Sequence, residues 1–281
     1  SPSEAYRLEK ENKRAIYTGL ENGYALGGDL SNVETFYKLG ARYITLCHTS
    51  NNDLCDSSTD PDGPEHNGLS SFGKKVVEKM NDLGMMVDVS HISDASFYDV
   101  MEVSEDPVIA SHSCARTLCD HPRNLNDQML QALKENGGVI QICLVSDYLK
   151  KPAPQPARDS AFAVLRKKYD GFKNLTQEEM AKARKEWRLL QKKYPKKLAS
   201  VKDVVDHIDH VVKTIGIDYV GIGTDFDGGA RVEGCNDVSE IPNITRELVK
   251  RGYTRKEIEK IWGGNFMRVF RQVHDSNSKT S

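Results

Sequence analysis

Apolar residues in this chain fall into short β-branched runs, separated by stretches in which they recur with a helical period. The runs lie at Ile16–Leu20, Arg42–Cys47, Met85–Val89, Val108–Ala110, Val139–Val145 and Tyr219–Gly223, and each predicts a buried strand. Between them Leu30–Leu39, Phe72–Leu83, Asn126–Asn136 and Val201–Thr214 carry helical spacing. Gly40, Gly84 and Gly137-Gly138 close the first three, as glycine does where a chain leaves a helix left-handed. Phe97, Val100 and Met101 mark a further helix, opened by Ser93 or Asp94 as N-cap. Strands that alternate with helical crossovers pair in parallel. The charged opening SPSEAYRLEKENKRA predicts a helix capped by Ser3, and Ile241–Val273 predicts two more, with Thr254 and Glu257 at capping-box spacing.

Two stretches interrupt the alternation. Residues 49–70 are a polar loop full of turn formers, long enough to read as an active-site lid, with His66 in it read as solvated. Pro152, Pro154 and Pro156 mark a linker at 150–158, after which Ala161–Lys197 turns helical and basic. Glu178, Glu179 and Glu186 are interspersed with its lysines, so it reads as a solvated helical insertion and not as a nucleic-acid patch. The organisation expected is one domain over 1–281 with an insertion at about 150–200.

Composition narrows the class. With 38% hydrophobic and 28% charged residues the chain is an ordinary globular protein, and a net charge of −2 argues against nucleic acid as its partner. No apolar run approaches the roughly 20 residues of a membrane span. Six cysteines form no C-x-x-C pair, which argues against a zinc knuckle and leaves the redox compartment open.

Candidate chemistry sits at the strand ends. Ser90-His91 and Ser111-His112 each close an apolar run, and Glu21, His48 and Asp225 follow runs in the same way. A single histidine there is commonly a hydrogen-bonded structural residue. Five acid–base or metal-ligating groups at one edge of a parallel sheet are instead the pattern of a (β/α) barrel, whose active site lies at that edge. His207 and His210 lie inside a helix, so this H-x-x-H is assigned to helix surface and capping.

The strings G-L-E-N-G, R-Y-I-T-L-C-H, D-V-S-H-I-S, I-A-S-H-S, P-R-N and G-T-D-F-D-G, in this order, resemble the renal (membrane) dipeptidase family of zinc hydrolases. The likeness runs through the chain except at about 150–200. It implies a (β/α)8 TIM-type barrel and two zinc ions per active site, bridged by a glutamate and a water or hydroxide. The substrate implied is a dipeptide. By this resemblance Glu21 is the bridging carboxylate, and His91 and His112 are the ligands of the second zinc. His48 contacts substrate and steadies the developing oxyanion, Arg123 pairs with the substrate's C-terminal carboxylate, and Asp225 is the acid–base group. Family members are often extracytoplasmic and dimeric, so the resemblance implies a secreted or periplasmic setting and a homodimer.

The chain also departs from the family. The H-x-D pair that holds the first zinc has no counterpart before Glu21, and the H-x-D string present, His207-Ile208-Asp209, is in a helix. Six strands are read where the barrel has eight. The expectation is a C-terminal part of a longer protein, with the first two strands outside this chain. Two other readings stay open: another metal-dependent amidohydrolase acting on a cyclic amide or lactam, and a truncated or inactive homologue that serves as a binding protein.

Overall fold

The computed structural model describes residues 1–277. The described residues form two compact units, one of residues 1–150 with 199–277 and one of residues 151–198.

The larger unit begins with α1 (Pro2–Lys10), β1 (Thr18–Glu21), α2 (Ser31–Lys38), β2 (Ala41–Thr45), α3 (Ser71–Leu83) and β3 (Met86–Asp88). It continues through α4 (Asp94–Val103), β4 (Ile109–Ser113), α5 (Asp127–Asn136), β5 (Val139–Cys143) and the single turn α6 (Ser146–Leu149). The smaller unit holds α7 (Pro156–Lys168) and α8 (Gln177–Lys193). The chain then returns through α9 (Val201–Ile215), β6 (Val220–Gly223), α10 (Pro242–Lys250), α11 (Arg255–Glu259) and α12 (Asn265–Asn277).

All six strands pair in parallel, in sequence order. The expected strand–helix alternation is therefore present. Six strands are present, as read from the sequence, and no ladder joins β6 to β1 among the described residues. No helix among them is long and apolar enough to cross a membrane. The helix ends follow the sequence: Ser93 and Asn126 accept N-cap bonds from Ser96 N and Met129 N, and Gly84 and Gly137 leave their helices left-handed. The first helix is capped by Ser1 and not Ser3, and the tail contains three helices where two were expected.

Strand alternation creates two cores. Ile44, Val87, Ala110, Ile140 and Val220 join the large cluster with the surrounding helices. On the opposite face Met86, Ile109 and Val139 pack on Val269, Phe270 and Val273 of α12. Two residues further along β3 and β4, and so on that same face, come Asp88 and Ser111. α12 thus closes the foot of the face whose upper rim carries the chemistry.

The smaller unit is a helical hairpin. Phe162 of α7 meets Trp187 of α8 edge-to-face at 4.6 Å, and Lys168 pairs with Glu186 at 2.6 Å. α7 starts at Pro156, so the linker expected to reach residue 158 ends earlier. A groove of about 490 Å³ lies beside Arg166, Phe172, Met180, Arg184 and Trp187, and no acid–base cluster lines it.

His207 departs from its expected surface role. It is buried at 1% exposure. Its Nδ1 accepts the N–H of Ala115 at 3.0 Å while Nε2 donates to the carbonyl of Leu149 at 2.9 Å. Burial, partly offset by the bond to Leu149, pulls its pKa below the usual 6.5. The unfolded chain therefore takes up this proton first as pH falls, so the native state loses stability below about pH 6.5, down to the depressed folded value. His207→Leu should cost about 2–3 kcal/mol near pH 8 by leaving both backbone groups unpaired. It should also flatten the stability loss between about pH 7 and pH 5 in urea titrations.

Candidate active site

Parallel register brings the strand ends level: Glu21 pairs with Thr45, Thr45 with Asp88, and Asp88 with Ile109. Glu21 is the last residue of β1, and His48 and His91 each lie three residues beyond their strands. His112 is not past its strand, as expected, but within β4. There the ladder to β5 shifts register between Ala110 and Ser113, and such an irregularity re-aims a side chain. His91 holds a left-handed backbone at φ 75°, a conformation that costs a histidine roughly 1–3 kcal/mol. Asp225, two residues beyond β6, does the same at φ 59°.

These residues meet. Nε2 of His91 lies 2.8 Å from Nε2 of His112, and Oε1 of Glu21 lies 3.2 Å from the first and 3.3 Å from the second. His48 stacks obliquely on His91 with ring centres 4.3 Å apart and brings its Nε2 to 3.9 Å from the same oxygen. Glu21, His48 and His91 form a set of potential metal ligands whose donor atoms lie within 4.8 Å of one another.

The electrostatics suit a cation. Close contact with His112 and then with His91 holds the Glu21 carboxyl well below its ordinary value, so it is ionised. Burial lowers His91 to about 4, so its ring is neutral. Neutral imidazole and ionised carboxylate are the forms that ligate metal. Nδ1 of His91 is buried without a hydrogen bond, which leaves Nε2 as this ring's one polar outlet. Donors at about 2.0–2.1 Å from a tetrahedral ion stand about 3.3 Å apart; the two Glu21 edges of the Glu21–His91–His112 triangle match this at 3.2 and 3.3 Å, and the His91–His112 edge is shorter at 2.8 Å. The donor set fits zinc.

Residues 49–70 form a pinned collar where a lid was expected. Asp56, 1% exposed, accepts the backbone N–H groups of Glu65, His66 and Gly68 at 2.8–2.9 Å. Asn52 reaches Asn22 beside Glu21, Ser57 Oγ donates to the carbonyl of His48, and Ser58 N donates to that of His91. The collar thereby fixes the backbone on both sides of the cluster. His66, read as solvated, is half-buried with Nε2 2.9 Å from the carbonyl of Asn52.

Two further groups flank the cluster. Arg123 is 4% exposed; its Nη2 donates to the carbonyl of His112 at 3.0 Å and its guanidinium lies over the Tyr148 ring at 5.4 Å. Nε of Arg123 is buried with no acceptor. Asp225 faces a cavity of about 190 Å³ that it shares with Glu21, Tyr43, His112, Thr224 and Asp227. Burial first, then the Glu21 and Asp227 charges, raise its pKa above the usual carboxylate range, against the pull of His112 and Arg123. A Cβ at Gly228 would stand 2.3 Å from an Asp225 oxygen, so any larger residue there would displace that carboxylate. Tyr43, Tyr148 and Asn52 were not foreseen as site residues; Tyr43 shares the face of Thr45, a period-two signal that could have marked it.

Fold and donor set together define a parallel α/β protein with a cluster of candidate metal ligands at its strand ends. The chain belongs to the membrane dipeptidase family, peptidase family M19, whose profile matches residues 1–281. It is 37% identical over 270 residues to Dipeptidase tcpJ of Claviceps purpurea, covering 96% of this chain and 53% of that protein. It is likewise 37% identical to human Dipeptidase 3, covering 95% of this chain and 46% of that protein. Among solved structures it is similar to the probable dipeptidase PvdM from Pseudomonas aeruginosa, with a TM-score of 0.85 and 36% identity, covering 98% of this chain and 73% of that one. The chain thus spans about half the length of the curated relatives it matches.

Zinc titration calorimetry tests the cluster. His112→Ala and Glu21→Ala should each abolish tight binding, since each removes one of three converging donors. His210→Ala, whose ring bonds Asp127 at the start of α5 at 2.7 Å, should leave binding unchanged.

Proposed function

We propose that this chain is a metal-dependent dipeptidase, with Glu21, His91 and His112 holding zinc, His48 and Arg123 binding substrate, and Asp225 moving protons. The observation that carries the reading is Arg123, a buried guanidinium with an unpaired Nε beside the metal-ligating cluster. A buried cation with spare donors needs an anion, and a guanidinium fork matches a carboxylate. A dipeptide presents its C-terminal carboxylate about one residue from the bond to be cut, which suits a cation placed next to the cluster.

When bound, zinc acidifies water and polarises a carbonyl. The residues of the chain do the rest. Arg123 anchors the substrate by its carboxylate and sets the register of the peptide bond against the cluster. His48, half-exposed at the rim, offers a donor to the carbonyl oxygen as negative charge develops there. Asp225, raised by burial, is suited to take a proton from the attacking water and return it to the departing amine. Tyr43, pushed up to about 12 mainly by burial, stays protonated on the cavity wall. The residues support one ion through Glu21, His91 and His112. His207 and Asp209, the H-x-D string, are engaged elsewhere, His207 with Ala115 and Leu149 and Asp209 with Arg251 and Tyr253.

Steady-state hydrolysis of a small dipeptide panel that includes Xaa-D-Ala is the test. Asp225→Asn should lower kcat by about 100-fold or more. Arg123→Ala should raise KM by more than about 10-fold, the loss of one charge-assisted pair. A dipeptide amide, which lacks the carboxylate, should be turned over poorly by the unaltered chain. Equal turnover of amide and acid, or an unchanged KM in Arg123→Ala, would point instead to a cyclic amide or another substrate without that carboxylate. Zinc bound with no hydrolysis of any of them would contradict the dipeptidase reading.

A further inference from the structure

We propose that Asp88, acting through the hydroxyl of Ser111, fixes the tautomer in which His112 offers its Nε2 lone pair to the site; this rests on His112 being a metal ligand. Asp88 is fully buried, and hydrogen-bond donors face both of its oxygens. Oδ1 accepts the N–H of Ser90 at 3.0 Å and of Ser111 at 2.9 Å, and Oδ2 accepts the hydroxyls of Thr45 at 2.5 Å and Ser111 at 2.6 Å.

Proton counting then sets the histidine. A hydroxyl has one hydrogen to donate. Three acceptors lie within reach of the Ser111 hydrogen, Asp88 Oδ2 at 2.6 Å, His112 Nδ1 at 2.8 Å and Ser90 Oγ at 3.5 Å, and the carboxylate takes it as the nearest and the charged one. At the 2.8 Å contact with His112 Nδ1, Ser111 Oγ can therefore only accept. Nδ1 carries the ring proton, and Nε2, which faces His91 and Glu21, is left with its lone pair. Ser90 Oγ also accepts the backbone N–H of His112 at 2.9 Å, so the same cluster holds the ring's backbone in place.

Asp88 is a positioning residue: it touches neither substrate nor the ligating atoms. It also ties together the ends of β2, β3 and β4, so a loss of thermal stability on its replacement would not distinguish positioning from support. Asp88→Asn does distinguish them. With an amide NH₂ in place of Oδ2, Ser111 Oγ becomes the acceptor from residue 88 and is free to donate to His112 Nδ1. The ring should switch to the Nε2–H form, which cannot ligate until it gives up that proton.

The experiment is a long-range ¹H–¹⁵N correlation of the imidazoles in the metal-free, ¹⁵N-labelled 281-residue chain. The His112 signals are assigned by their loss in His112→Gln, and zinc affinity is measured in parallel by calorimetry. The unaltered chain should show His112 as Nδ1–H. Asp88→Asn should show Nε2–H and bind zinc about 10- to 100-fold more weakly, the usual cost of losing the partner that orients a ligating histidine. Should that variant not fold, Ser111→Ala keeps three of the four bonds to Asp88, and it should give mixed tautomers and weakened zinc binding. An Nε2–H form in the unaltered chain, or a variant that keeps both tautomer and affinity, overturns the proposal. The predicted tautomer in a chain that binds no zinc would instead sink the metal reading and leave the Asp88 relay standing.

Discussion

One carboxylate oxygen of Glu21 stands within 3.9 Å of three imidazole nitrogens, two of which are 2.8 Å apart. Two imidazole nitrogens facing each other at that distance can share a single proton, and a neutral ring, an ionised carboxylate and a strained backbone are all held there together. Such an arrangement is costly without a cation, and the architecture serves to maintain it. Parallel strands deliver every donor to one edge, the register sets Glu21, Thr45 and Asp88 level, and α12 closes the opposite end of the same face. The left-handed backbones of His91 and Asp225 are local strain at the site, and the collar's bond to the His91 carbonyl helps to hold the first of them.

Much of this was legible in the sequence, because its determinants are local. Strand ends are marked by where β-branched runs stop, and Glu21, His48, His91 and Asp225 could be placed at one edge from that alone. Ser93, Asn126 and the closing glycines fix helix ends through bonds to residues no more than a few positions away. The resemblance to the dipeptidases likewise rested on short contiguous strings, and family membership holds over residues 1–281.

What stayed hidden depends on partners far apart in the chain. His207 reads as one face of a helix, but its bonds go to Ala115 and Leu149, 92 and 58 residues away. The order of the 49–70 loop comes from Asp56 gathering three N–H groups, which the same turn-rich composition could equally have left as a flap. Asp88 opens the D-V-S-H-I-S string with no role of its own there, because its role depends on Ser111, 23 residues on. The shift in β4 that turns His112 inward is a register event between two strands and leaves no mark in either alone.

The central claim is that Glu21, His91 and His112 hold a metal ion. X-ray absorption at the zinc edge on the zinc-loaded chain tests it most directly, since it reads the ligands themselves. The account predicts nitrogen and oxygen neighbours at about 2.0–2.1 Å, with the outer-shell scattering of two imidazoles that drops to one in His112→Ala. A spectrum with sulfur neighbours at about 2.3 Å, or one unchanged by His112→Ala, would contradict it.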